Sequence, residues 1–412
     1  MQTLDIDFVR GQFPAFSEPS LEGFAHFENA GGSYAAGTVI ERLRRYYRET
    51  KVQPYHAFAP SKKAGEQMDR ARLRMAEWLN VAGEEVHFGP STSQNTYVLG
   101  QALRQYLEPG DEVIVTNLDH EANVGAWRRL EADGIVIREW QIEPHSAELR
   151  TADLEALLNG RTRVAAFSHC SNIVGSVNPV PRWIETVHEA GAIAIVDGVS
   201  YAGHGLPDVT ALGADIYLFS LYKVYGPHLG VMVMRQAVNE ALPNQGHFFN
   251  ASLATARFTP AGPDHAQIAA VNGVIDYFED VYTHHFGAGD AAAAAKAAAL
   301  AELFQRAERE KLEPLLDMLA SHPRVRLIGK DHTRDRAPTV SFTADGLEPA
   351  AVAARLAREN IGIGCGHCYA YRLIQALGIA PEHGVLRTSF VHYTSAAEVN
   401  RLIDALLPIL SQ

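Results

Sequence analysis

Two short apolar runs, residues 192–196 and 216–219, are bounded by polar turns and predict buried strands of a parallel sheet. Residues 85–88, 112–116 and 163–167 predict further strands, and residues 37–50 and 62–80 carry apolar positions at helical spacing. Residues 1–25 predict a short helical lead-in. The alanine-rich run from Asp290 to Leu303 predicts a strong helix with Leu300, Leu303 and Phe304 as its apolar face. It predicts the start of a long helix leading into a C-terminal α/β domain. That domain reads as strands at 325–328, 339–342 and 384–390 and helices at 349–359, 370–377 and 396–407, with a glycine-rich stretch between the first two helices.

The chemistry-bearing residues fall where these strands end. The run 192–196 closes on Asp197, and the run 216–219 delivers Ser220-Leu221-Tyr222-Lys223 followed by Val224-Tyr225-Gly226-Pro227. A lysine beside a buried strand end is poorly solvated as an ammonium, so its pKa falls from about 10.4 and the amine becomes a nucleophile. Lysine and acid on neighbouring strand ends suit pyridoxal phosphate (PLP), whose aldehyde takes a lysine as a Schiff base and whose ring nitrogen needs a carboxylate. Lys223 alone would read as a surface residue; the pairing carries the argument. Gly89-Pro90-Ser91-Thr92-Ser93-Gln94-Asn95-Thr96 is a hydroxyl-rich turn opening a helix after a strand. Free N–H groups, helix dipole and hydroxyls converge there on one anion, with Thr92 and Ser93 as the contacts. Strand ends near residues 91, 119, 169 and 197 thus all offer ligand-type groups, and ligands sit outside the carboxyl ends of parallel strands.

The chain has 412 residues, 47% of them hydrophobic, enough for a large core and two domains. Its net charge of −12 argues against a nucleic-acid or anionic-membrane partner. The acidic start Met1-Gln2-Thr3-Leu4-Asp5-Ile6-Asp7 lacks an apolar signal-peptide core, and no run of 18 apolar residues exists. Three cysteines fit a reducing, cytoplasmic setting rather than a disulfide scaffold. No metal site is expected.

The stretch from Asp197 to Gly230 resembles the class V aminotransferase and cysteine desulfurase (SufS-like) family of fold-type-I PLP enzymes. The shared pattern is Asp197-Gly198, the lysine motif ending at Lys223, and Tyr225-Gly226-Pro227; Tyr222 replaces the family histidine before the lysine and Ser200 the family glutamine. The resemblance spans residues 29–407. It implies an α/β fold of PLP-dependent transferase type I, with a lead-in at 1–25 packing on the small domain. A large domain at 26–285 would carry a mostly parallel seven-stranded sheet, and a smaller α/β domain would follow at 286–412. It implies a homodimer acting on an α-amino acid as small-molecule substrate, with Lys223, His120 and Asp197 catalytic. His120 would stack on the pyridine ring and Asn172 donate to its phenolate oxygen. Ser200, Ser220 and Tyr222 would flank the cofactor, and Thr259, in Phe258-Thr259-Pro260, would reach the partner subunit's phosphate. Asn29, Ala30 and Gly31 would lie beside the substrate carboxylate and His56 in the active site. Arg387 would grip that carboxylate with its planar fork.

Residues 361–370 lie where desulfurases carry Arg-x-Gly-His-His-Cys-Ala. On that pattern Gly364 replaces the arginine, Tyr369 replaces the nucleophilic cysteine, and Cys368 falls one position early as a possible nucleophile. The expected reaction is C–S cleavage of a cysteine-type substrate, by desulfuration or by β-elimination, which needs no such cysteine. The alternatives are an aminotransferase or amino-acid epimerase and, from another class, a thiol-redox or metal-binding protein centred on Cys365-Gly366-His367-Cys368. The sequence names no sulfur-accepting protein.

Overall fold

A computed structural model describes residues 2–412. Twelve strands form two sheets. In chain order they are β1 (Ala25–Phe27), β2 (Val86–Gly89), β3 (Glu112–Thr116), β4 (Val136–Trp140), β5 (Thr162–Ser168), β6 (Ile193–Asp197), β7 (Ile216–Ser220) and β8 (Gly230–Met234), then β9 (Val325–Ile328), β10 (Thr339–Ala344), β11 (Ile361–Gly366) and β12 (Val385–Ser389). The larger sheet has seven strands in the order β2-β8-β7-β6-β5-β3-β4. Only β8 runs against the others, pairing antiparallel with both β7 and β2. A nine-residue loop, residues 221–229, joins β7 to β8, too short for the crossover that parallel neighbours need. The central strands β3, β6 and β7 are apolar on both faces because helices cover both sides of the sheet.

The second sheet has the order β1-β11-β12-β10-β9. Its β1 comes from the N-terminus and pairs parallel with β11, Ala25 opposite Ile361 and Phe27 opposite Ile363. A boundary drawn at residue 26 therefore cuts a strand of the smaller sheet. The glycine-rich stretch between the two helices, assigned no element from the sequence, is strand β11. Glycine has low strand propensity, so the stretch carries no strand pattern; a Cβ on Gly362 would stand 2.7 Å from the Phe24 ring. Two long helices, His265–Phe286 and Ala293–Ser321, connect the sheets. The first has no clear signature in the sequence: it is buried on most of its surface, so its polar and apolar positions do not alternate at helical period. It packs on helix Gly37–Glu49 so closely that a Cβ on Gly273 would stand 2.7 Å from the Val39 backbone.

Among the described residues no helix is long and apolar enough to cross a membrane. The close helix crossing gives a stability prediction. Gly273→Val overpacks a backbone-to-backbone contact and should cost about 1–3 kcal/mol, read as a lower thermal midpoint.

Candidate active site

The C-terminal ends of β2, β3, β5, β6 and β7 open on one edge of the large sheet, and a cleft of about 480 Å³ lies over them. Lys223 closes a single 3-10 turn, Leu221–Lys223, directly after β7. Leu221 N–H bonds to the Leu229 carbonyl and Gly226 N–H to the Leu221 carbonyl, which closes the loop on itself. Gly203 lies beneath: a Cβ there would come within 2.6 Å of the Lys223 carbonyl oxygen. Lys223 is only 9% exposed. Burial, and then the charge of Arg387, pull its pKa down to about 8, against the opposing charges of Asp197 and Glu28.

Asp197 ends β6, the strand next to β7. Its Oδ1 accepts Val199 N–H at 2.8 Å, and burial pushes its pKa up to about 6, with that N–H and Lys223 opposing. A second buried acid, Asp119, rises to about 7, chiefly through burial. It accepts from Ser168 and Asn123 and so ties the end of β3 to the end of β5. His120 borders the cleft, and its Nδ1 accepts Ala122 N–H at 3.0 Å. Burial, reinforced by Lys223 and Arg387, brings its pKa down to about 3, so the imidazole is neutral.

At the far end of the cleft, helix Thr92–Tyr106 begins. The first N–H groups of a helix have no partner within it. Thr92 Oγ1 lies 2.8 Å from Ser220 Oγ, which joins this helix start to the lysine strand. A Cβ on Gly230 would stand 2.5 Å from the Ser91 carbonyl carbon, so only glycine lets β8 pass there. Ser93, Ser200 and Tyr222 also border the cleft, and the Tyr222 ring stacks on His228 at 4.9 Å. This donor set fits a phosphate at the helix start and a flat ring between His120 and the Asp197 side.

A second cavity adjoins. Asn29 and Ala30 share a cavity with Lys223, Ser200 and Ser389. Ala30 N–H bonds to Ser389 Oγ at 2.8 Å, and Ser33 bonds to the Tyr222 carbonyl through both its N–H and its hydroxyl. The N-terminal turn is thus sewn both to β12 and to the lysine loop. Gly31 makes room for Glu28, whose carboxylate pairs with Arg387 on β12. Asn172 borders the cleft, but its Nδ2 donates to the Cys368 carbonyl at 2.9 Å.

Of the expected residues, Arg387 and Gly31 line neither this cleft nor the adjoining cavity, and His56, Thr259 and Cys368 lie away from both. His56 lies in an exposed loop, stacked on Phe58 at 5.9 Å. Thr259 lines a separate cavity on the outer side of the Ser91 turn, beside Pro90, Gln94 and His228. Cys368 is half-buried in a turn with φ of 43°, and its Sγ faces the Cys365 and Gly366 carbonyls at 3.9 Å. Burial raises its thiol pKa, with Arg387 opposing. Tyr369, which the resemblance puts in the place of the desulfurase cysteine, is also left-handed at φ 60°, and its ring lies 5.2 Å from that of His120. Sequence reasoning missed Cys170, which borders the cleft as a buried thiol pushed up to about 12, and Glu28. Among the described residues no group of three or more His, Cys, Asp or Glu side chains gathers as a metal site.

A part-neutral amine and a buried acid, presented from adjacent strands to one flat cleft with an anion-binding end, define a PLP-dependent enzyme on a fold-type-I scaffold. The chain belongs to the class V aminotransferase family, whose model (Aminotransferase class-V) matches residues 25–402. It is 35% identical to the aminotransferase-like protein FGM3 of Gibberella zeae, over 99% of both chains. It is 29% identical to a probable cysteine desulfurase of Pseudomonas aeruginosa, over 96% of both. Its fold matches the apo structure of a cysteine desulfurase from Thermococcus onnurineus NA1 with a TM-score of 0.86, at 23% identity and full coverage of both chains.

The lowered Lys223 pKa has a sign that can be tested. In the cofactor-free protein below about pH 8 the lysine is protonated folded and unfolded, and the native state bears the full desolvation penalty. Between about 8 and its ordinary value of 10.5 the unfolded chain holds the extra proton, so stability rises with pH. Lys223→Met should therefore exceed the parent in denaturant midpoint at about pH 7, with the gap narrowing towards pH 10.

Proposed function

We propose that this PLP enzyme acts on a cysteine-type α-amino acid and breaks its C–S bond by β-elimination. The observation that carries the elimination route is the state of the three thiols. Cys170 at the cleft is held as a thiol near 12, Cys365 and Cys368 are both raised by burial, and a phenol, Tyr369, stands where desulfurases carry their cysteine. Sulfur transfer needs a ready thiolate; elimination needs only a base and an acid. The similarity to proteins named as cysteine desulfurases supports the choice of substrate.

Pyridoxal phosphate supplies an aldehyde that takes up the substrate amine and a cationic ring that delocalises negative charge from Cα. In this reading Thr92, Ser93 and the helix start bind the phosphate, with Ser220 holding Thr92 in place. Asp197 stays ionised against the ring nitrogen and keeps it cationic. Neutral His120 would cover one face of the ring without competing for that charge. Ser200 and Tyr222 would border it, and Asn172, with one amide hydrogen given to the Cys368 carbonyl, would have the other for the phenolate oxygen. Arg387 orients the carboxylate beside Asn29, Ala30 and Gly31. Lys223 Nζ takes the Cα proton and delivers a proton to the departing sulfur. A pKa near 8 lets it serve as base and then acid near neutrality.

The same reading makes the enzyme a cytosolic homodimer. Its three cysteines are unpaired. Thr259 and His56 lie outside their own chain's cleft and are free to serve a second copy's. The loop preceding Thr259 exposes Phe248 at 86% and Phe249 at 65%, apolar surface that a partner would cover. Light scattering should return twice the chain mass.

The activity test is an absorbance spectrum with and without L-cysteine, with sulfide and pyruvate assayed in the same tube. The parent should be yellow and release both products. Lys223→Ala should lose the lysine-bound cofactor band and about 10²–10⁴-fold of the rate, while Cys368→Ala keeps it within a few-fold. Alanine as product, with sulfide lost in Cys368→Ala, would establish desulfuration instead. No product from cysteine, cystine or selenocysteine refutes C–S cleavage, and pyridoxamine phosphate or Cα-hydrogen exchange would then mark an aminotransferase or an epimerase.

A further inference from the structure

The guanidinium of Arg387 has no open edge. Its side chain is 5% exposed. Nη1 donates to the Asn172 carbonyl at 3.0 Å, Nη2 is ion-paired with Glu28, and Nε is buried with no partner. A carboxylate is gripped through two parallel N–H bonds, and no such pair is accessible. Of the two groups that cover the fork, the Asn172 oxygen is backbone and is fixed by the strand-end turn. Glu28 is a side chain, 30% exposed. It is the group that can leave.

The surroundings of Glu28 are shaped for its carboxylate. A Cβ on Gly31 would collide with Oε2, and a Cβ on Gly364 would stand 2.7 Å from Oε1. Both positions must lack a side chain for the ion pair to form. Gly364 is also the position where the family resemblance puts an arginine. This chain has no cation there, and the carboxylate of Glu28 fills the space.

We propose that Glu28 is an internal stand-in for the substrate's α-carboxylate. It occupies Arg387 in the free enzyme, and an incoming amino acid binds by exchanging its own carboxylate for that of Glu28. This rests on the reading of Arg387 as the carboxylate grip of a PLP enzyme. The exchange sets a threshold for entry: only ligands bearing a carboxylate compete with Glu28, and each binds more weakly than it would to an open arginine, by the fraction of time that the arginine is open. An amine without a carboxylate neither meets that cost nor gains from its removal.

The test uses the holoenzyme titrated with L-alanine, which has no leaving group at Cβ, and with ethylamine, its decarboxylated counterpart. Binding is read by absorbance and by calorimetry. Glu28→Gln keeps the shape but weakens the ion pair, and should tighten L-alanine about tenfold, as expected for about 1.4 kcal/mol, while leaving ethylamine unchanged. Gly364→Ala, which presses a methyl group against Oε1, should tighten L-alanine in the same direction and provides an independent variant if Glu28→Gln folds poorly. Weaker L-alanine binding in Glu28→Gln would overturn the proposal and make Glu28 a positioning residue for Arg387. An equal change for both ligands would overturn it as a general effect on the cleft. Failure of both amines to bind the parent would instead bring down the PLP reading, and this inference with it.

Discussion

A lysine amine kept out of water is the constraint that the rest of the site serves. A buried ammonium is costly, and the fold meets the cost by holding Lys223 on a closed turn after β7, with Gly203 beneath it and Asp197 on the next strand. The same burial gives the neighbouring groups their states. It neutralises His120, raises Asp197 and Asp119, and leaves Cys170 an inert thiol. One physical cause, removal of solvent from an edge where five strands end, therefore shifts the lysine, the acid and the imidazole together. A site so built trades stability for reactivity.

The large sheet and most of the cleft were legible in the sequence because their signals are local. Buried parallel strands are short apolar runs, and the residues directly after each run lie at the sheet edge. Asp197, Lys223, His120, Thr92 and Ser93 could be placed in one cleft on that rule alone. The features that stayed hidden depend on contacts between distant segments. The glycines of β11 carry no strand pattern because they leave room for Phe24 and Glu28 from elsewhere. Helix His265–Phe286 lacks a polar face because it is packed on several sides. Glu28 carries no motif of its own, and its meaning appears only when β12 brings Arg387 to it.

The loop after β11 shows how the two sheets share the site. Glu121 N–H bonds to the Tyr369 carbonyl at 2.8 Å, Asn172 bonds to the Cys368 carbonyl, and Arg372 pairs with Glu121. Three ties fasten this loop across the cleft mouth. Two successive left-handed residues, Cys368 and Tyr369, are held in it without glycine. Such backbone persists only where the surroundings over-determine it. The result turns the tyrosine ring towards His120 and the thiol of Cys368 back on its own turn.

The pairing of β1 with β11 has a consequence for how the protein is made. The turn beside Lys223 leaves the ribosome among the first segments, yet the strand that anchors it is among the last. The large sheet can form during synthesis from neighbours in the chain, but residues 25–30 must wait, unpaired, for the C-terminal sheet to arrive. Contacts of such sequence separation form late and slowly. The placing of the turn at residues 29–31 beside the lysine loop is thus a property of the finished chain, and a nascent or C-terminally clipped molecule would have the cleft of the large sheet without the pairing that fixes this turn to β12.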